Sequence, residues 1–281
     1  MTIAVLTDST ADLAPNWITE RQIGVIPLSV NLNGRVYKDG VELTQQHLFE
    51  QIEKSGQLPT TAAPSVGEFI QFFRPYSQGI YLSLSSQLSA AYQNACLAVA
   101  ELGNPDLRVI DSRNLSSGIA LLALKAADLR DQGASLDEIE RTIRSLLPKV
   151  RTAFILETLD YLYKGGRCNA VQALASSLLK IRPLIYVQND GTLGVGEKTR
   201  GKRSKALQAL LERFQADLKE MDLRRVFVTH AACAEDAMAL AEEVRRLANP
   251  QEVLVNEAGS VISSHCGPQT IGIIYLLRDE Q

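Results

Sequence analysis

The sequence predicts an α/β fold, with a mainly parallel sheet in its first half and a mixed sheet in its second. Through the first 150 residues, short β-rich runs alternate with helical segments, the order that strand–helix–strand crossovers impose on a parallel sheet. In the second half Asn189-Asp190-Gly191 separates two strand-like runs, a hairpin signal that demands antiparallel neighbours. A chain of 281 residues with 46% hydrophobic residues can bury one large core or two ordinary ones. We divide it after Pro148 into an N-terminal unit, 1–150, and a C-terminal unit, 151–281.

Each element follows from local chemistry. Residues 2–7 read as a strand, and 14–21 as a short helix begun by Pro15, whose fixed φ suits a first helical turn. Residues 25–31 form a second strand, followed by helices over 45–55 and 66–74. Ile80, Leu82 and Leu84 mark a strand, 90–100 a helix, and 108–110 another strand. The long helix over 117–132 stops at Gln132-Gly133, and Ser135-Leu136-Asp137-Glu138 restarts the chain with a capping box. In the second unit strands are expected at 151–156, 184–188, 225–230, 252–255 and 271–276, with helices near 170, 205 and 235. Residues 170–181 are apolar or small nearly all round, which means a helix buried on most faces or one lining an apolar space.

Composition removes several classes of function. A net charge of −3 argues against a protein that coats nucleic acid. Only four apolar residues follow Thr2, too few for a signal peptide or anchor, and the late run 271–277 is too short to span a bilayer, so a cytoplasmic protein without a membrane span is expected. Cys96, Cys168, Cys233 and Cys266 form no C-x-x-C pair and read as reduced thiols. His47, His230 and His265 have no ligand spacing, so neither a metal nor a cofactor is expected.

The segment 79–95 runs an apolar strand into Ser85, Ser86 and Ser89 at a helix start. A first helical turn carries unpaired N–H groups and the positive end of the helix dipole, so such a place holds an anion; serine is also a common N-cap, and the cluster alone does not choose between the two. Asp8-Ser9-Thr10, Thr60-Thr61 and 263–268 also fall at expected strand ends or loops, where ligands of open α/β sheets collect. A serine hydrolase with His265 as base and Asp8 or Asp111 as its orienting acid is the enzymatic alternative. It lacks the G-x-S-x-G elbow, and T-D-S-T after the first strand is no dinucleotide fingerprint. Residues 198–205, with five basic residues in eight, are a charged face or a docking site for an acidic partner.

Taken in order, A-V-L-T-D-S-T-A-D-L, P-L-S-V-N-L-N-G-R-V-Y-K-D-G, L-P-T-T-A-A-P-S, S-S-Q-L-S-A-A-Y-Q, V-I-D-S, L-Y-K-G-G-R, L-L-K-I-R-P and V-I-S-S-H-C-G-P resemble the DegV family from end to end. The resemblance implies two intertwined α/β domains with a long-chain fatty acid, saturated or monounsaturated, between them. It implies a lipid carrier rather than an enzyme, presenting the acyl carboxylate to the separate ATP-dependent catalytic subunit of a fatty acid kinase, which forms an acyl phosphate; the hydrolase alternative, with His265 as base, would then act on a lipid ester or acyl phosphate. Carried over by position, Thr61 with its neighbour Thr60, Ser89, His265 and Arg167 surround the head group, and Arg200, Lys202 and Arg203 belong to kinase docking. The chain departs from the family pattern at Ala62 and Ala63, at Ala90 and Ala91, at Cys168-Asn169, and at Gln269 where glycine is usual. About fourteen methylenes moved into an apolar tunnel contribute roughly 11 kcal/mol gross, so the tail supplies affinity while the carboxylate needs hydrogen bonds. Residues 170–179 are expected to form part of the tunnel wall.

Overall fold

The computed structural model describes residues 2–167 and 181–278. Cys168, the helix expected near 170 and the tunnel wall expected over 170–179 lie outside the described residues.

β1 (Ala4–Asp8) ends in a 3₁₀ turn in which Asp8 accepts the Thr10 N–H at 3.0 Å. α1 (Pro15–Glu20) and β2 (Ile23–Ile26) follow. The strand expected over 25–31 is in fact two strands in two sheets. Pro27 has no N–H to continue a ladder, and the chain leaves the first sheet there. β3 (Ser29–Leu32) pairs antiparallel with β4 (Arg35–Lys38) through Asn33-Gly34, both at positive φ, and with β5 (Thr60–Ala62), which follows α2 (Gln45–Ser55). Then come α3 (Val66–Phe73), β6 (Gly79–Ser83), α4 (Ala91–Leu102), β7 (Leu107–Asp111), α5 (Ser117–Asp131) and α6 (Leu136–Leu146). Strands β2-β1-β6-β7 form an all-parallel sheet in that order. Complete capping boxes, Ser65 with Glu68 and Ser135 with Glu138, open α3 and α6.

The second half contains β8 (Val150–Ile155), α7 (Asp160–Lys164), β9 (Ile181–Val187), β10 (Leu193–Arg200), α8 (Arg203–Ala216), β11 (Met221–Ala231), α9 (Ala234–Ala248), β12 (Glu252–Glu257), α10 (Ser260–Cys266) and β13 (Thr270–Leu277). They form a six-stranded sheet, β10-β9-β8-β13-β11-β12, antiparallel throughout except for β11 beside β12. The mixed sheet and its hairpin at Asn189–Gly191 agree with the sequence expectation. α10 does not: 263–268 is expected as a strand end or loop, yet Ser263 and Ser264 lie buried in a helix. Their hydroxyls bond back to Ala258 and Ser260 carbonyls, which lets polar residues sit in a packed helix.

The two halves interlock through α5. One side of this mostly buried helix packs on β1 and β6, the other on β8, β11 and β13. At its start Gly118 permits the approach, because a Cβ there would stand 2.0 Å from Asn114 Oδ1 and 2.9 Å from Thr152 Oγ1. At its end the buried Asp128 binds Arg224 at 3.0 Å and Arg225 at 2.5 Å on β11, and also Arg21 beyond α1. α10, late in the chain, crosses back onto α2, β3 and β5. No described helix is long and apolar enough to cross a membrane.

Candidate functional site

Two adjoining cavities lie where α10 meets the first half. Leu115, Leu162, Leu193, Ile262 and His265 line both, so the two spaces share their walls. Space open to the centre of a water-sized sphere is about 70 Å³ in one and 60 Å³ in the other. That is several times the roughly 10–15 Å³ that a single water requires.

The smaller cavity is the polar one, and its polar side chains come from four separate elements. Thr61 on β5 points inward, while its neighbour Thr60 is exposed, as strand alternation requires. The expectation for Thr60 is therefore corrected: it does not line the cavity. Thr61 Oγ1 lies 2.8 Å from His265 Nε2 at the end of α10. Ser89 reaches the same space just before α4, where its Oγ accepts the Ala91 N–H at 3.2 Å. Arg167 completes the ring, donating through Nη1 to the Gly165 carbonyl at 2.8 Å and through Nε to the Leu88 carbonyl at 3.3 Å.

The other clusters noted in the sequence stand elsewhere. Asp8 is buried and accepts from Tyr81 Oη and Leu84 N–H, both at 3.0 Å. Ser85 donates to the Gly191 carbonyl at 2.8 Å, and Ser86 to Asp111 at 2.6 Å. The N-cap of α4 is Ala90, without a side-chain bond, and of the three serines Ser89 meets the helix start, through its bond from the Ala91 N–H.

His265 is held neutral near pH 7. Burial, with the Arg167 charge adding to it, pushes its imidazole down to about 4. Nδ1 is buried and has no hydrogen-bond partner among the described residues. It stands over Gly165, where a Cβ would lie 2.4 Å from Nδ1 and 2.8 Å from the Tyr161 carbonyl. Only a missing side chain leaves room for the ring. Among the described residues no carboxylate orients that nitrogen, and Asp8 and Asp111 are committed elsewhere, so these residues do not assemble the acid–histidine–serine relay of a hydrolase.

The second cavity continues toward the six-stranded sheet, between Phe154, Leu162, Leu193, Ile262 and Ile274. Hydroxyls in its wall are turned away from the space. Thr152 donates to Asn114 at 2.7 Å, Thr229 to Asn256 at 2.8 Å, Thr270 to the Cys266 carbonyl at 2.9 Å, and Ser116 to Asp12. Their carbon atoms are what the cavity sees. His230 also borders it, and burial lowers its pKa as well. The sequence considered His230 only as a metal ligand, because nothing local links β11 to this space.

Arg200, the last residue of β10, and Lys202, just before α8, are exposed, with no ion-pair partner among the described residues. Arg203 differs. Its guanidinium turns inward to Asp236 at 2.6 Å and to the Gln269 carbonyl at 2.7 Å, so it is not an open docking cation. Gln269 holds a positive φ of 63°, the conformation for which glycine is usual at this position of the family pattern. No group of described residues is arranged to hold a metal ion.

An apolar space adjoining a smaller one lined by polar side chains fits an amphiphile with a long tail and a compact, acceptor-rich head. Solved proteins of the same architecture carry that chemistry. A DegV family protein from Thermus thermophilus, described as fatty acid binding, is 32% identical and superposes with a TM-score of 0.92 over 99% of this chain and 100% of its own. DegV of Bacillus subtilis, a fatty acid binding protein, is 30% identical with a TM-score of 0.88 over 99% and 100%. The Streptococcus pneumoniae fatty acid kinase (Fak) B3 protein loaded with linoleic acid shares the fold, with a TM-score of 0.87 over 99% and 100% at 22% identity. The profile of the family described as "Uncharacterised protein, DegV family" matches residues 2–278, and with the shared fold this establishes that the chain belongs to the DegV family.

Proposed function

We propose that this protein binds one long-chain fatty acid between its two halves and presents the carboxylate to a separate ATP-dependent kinase subunit, which converts it to an acyl phosphate. The observation that carries the reading is the junction of an apolar cavity with a mouth lined by Thr61, Ser89, Arg167 and His265. The fatty acid binding described for the Thermus and Bacillus relatives supports the ligand class. The kinase step rests on the motif resemblance and on the shared fold of the streptococcal protein.

On this reading the tail lies along Leu115, Leu162, Leu193 and Ile262, each buried methylene contributing about 0.8 kcal/mol. The Thr61 hydroxyl donates to the carboxylate while accepting from His265 Nε2–H, which fixes the neutral tautomer. Ser89 supplies a second donor. Arg167 supplies the charge that an anion drawn out of water requires. Ala62, Ala63, Ala90 and Ala91 leave fewer hydroxyls there than the family pattern has, so the head group depends more on these three side chains and His265. The protein itself is a carrier. Phosphoryl transfer belongs to the partner, and its need for ATP places the activity in the cytoplasm.

Exposed cations at Arg200 and Lys202 precede the N-terminus of α8, where positive charge opposes the helix dipole and adds nothing to stability. They are suited instead to an acidic face of the kinase. The test measures retention of radiolabelled oleate on gel filtration together with acyl phosphate formation in the presence of the kinase subunit and ATP. Wild type retains oleate and Thr61→Val retains measurably less, whereas Arg200→Ala retains it with reduced turnover. Failure of wild type to retain any fatty acid contradicts the ligand, and undiminished turnover in Arg200→Ala removes the docking role.

A further inference from the structure

The helix that carries His265 is held at its other end by two buried acids from the first half of the chain. The opening N–H groups of a helix have no partners of their own. In α10 they are taken by side chains: Asp12 Oδ1 accepts from Gly259 N–H at 2.8 Å, and Asp39 Oδ1 from Ser260 N–H at 2.8 Å. Asp12 and Asp39 are only 6% and 2% exposed, and among the described residues neither pairs with a cation. Asp39 Oδ2 has no hydrogen-bond partner among the described residues. Gly259 stands against both, since a Cβ would lie 3.0 Å from Asp12 Oδ1 and 3.3 Å from each Asp39 oxygen. Burial drives both acids upward, Asp39 to about 6 and Asp12 well above its ordinary value.

Serine or asparagine would cap a helix at far lower desolvation cost. What the acids add is connection. Asp39 directly follows β4, and its N–H donates to the Leu28 carbonyl at 2.9 Å, which fixes it to the small sheet that also carries Thr61 on β5. α10 is thus fastened to that sheet at both ends, by Asp39 at its start and by the His265–Thr61 contact at its finish. Asp12 extends the fastening to the tail cavity, because its other oxygen holds Ser116.

We propose that Asp12 and Asp39 are positioning residues which set the His265–Thr61 pair by fixing the start of α10. Their role in ligand binding rests on the fatty acid reading above; their role in placing His265 does not. The test compares Asp39→Ala, Asp39→Asn and Gly259→Ala in the full chain, following oleate affinity, the unfolding midpoint, and the His265 titration by NMR in delipidated protein. Asp39→Ala should bind oleate at least tenfold more weakly, with the His265 titration moved up toward an ordinary histidine. Asp39→Asn keeps an acceptor for Ser260 N–H and should stay within threefold of wild type on both readings. Wild-type binding and titration in Asp39→Ala, or equal losses in the Ala and Asn variants, would overturn the proposal. Should Asp39→Ala not fold, Gly259→Ala, which crowds the same oxygens without changing charge, decides: weaker binding with a raised His265 titration supports the clamp, and no change in either rejects it. If wild type binds no oleate, the fatty acid reading fails while the His265 titration still tests the clamp.

Discussion

The two halves of the cavity are built from similar residue types put to opposite uses. In the tail half, Ser116, Thr152, Thr229 and Thr270 each donate their hydroxyl to the protein, and the space sees carbon. In the head half, among the described residues, Thr61 shares a single contact with a neutral histidine, Ser89 only accepts from a backbone N–H, and His265 Nδ1 is unpaired. Polarity of the wall is therefore set by where each hydroxyl's hydrogen is spent rather than by composition. A buried polar group fully bonded within the protein offers nothing to a ligand, while one left half-bonded is a recognition element.

Blocking the seam between the halves should have the largest effect. Ile262 lines both cavities and is only partly buried, so Ile262→Trp closes the passage with modest overpacking. Excluding about four methylenes removes roughly 3 kcal/mol, and oleate affinity measured by fluorescence displacement should fall more than a hundredfold. Next in size is Gly165→Ala, whose methyl group displaces the imidazole ring and its contact with Thr61. We expect about a tenfold loss of affinity, read in the same assay. Thr61→Val follows, at about 1 kcal/mol in affinity, because His265 Nε2 is left without its partner. Equal affinity in this variant and wild type would show that the head half does not hold the ligand.

The smallest effect is a proton. Burial pushes the His265 imidazole down to about 4, and a bound carboxylate favours imidazolium, so binding raises that value and takes up protons as the pH approaches it from above. Calorimetric titrations near pH 5.5 in buffers of different ionisation heat should report uptake in wild type and none in His265→Gln. Proton release, or uptake that persists in the variant, would contradict the arrangement. Stability is a poorer probe of the same group. His265, lowered from its model-compound value of 6.5, contributes stability that is full above that value and is lost as the pH falls to about 4. Asp39, raised from 3.8 to about 6, contributes stability that is full at low pH and is lost as the pH rises through 6. Between these limits the two oppose each other.

How much of this was legible depended on the range of the interaction. Helix 45–55 matches the expected bounds because Thr44 caps it and Gly56 ends it within the sequence itself, and the Ser135–Glu138 box is equally local. Thr61, Ser89, Arg167 and His265 were found through motif resemblance, and the fold brings them to one cavity. The small sheet was missed although Asn33-Gly34 signals its hairpin, since β5 is three residues long and closely flanked by Pro59 and Pro64. Thr60 was separated from Thr61 only by strand alternation, and Arg203 was turned inward by Asp236, 33 residues away. The walls at Leu115, Leu162, Leu193 and Ile262 carry no local mark, because apolar residues facing a cavity look in sequence like those facing a core.

The most direct test of the central claim is mass spectrometry of an organic extract from natively purified protein, repeated after incubation with added oleate. The account predicts a long-chain fatty acid at about one per chain. An extract without lipid, together with no uptake of the added oleate, would contradict it.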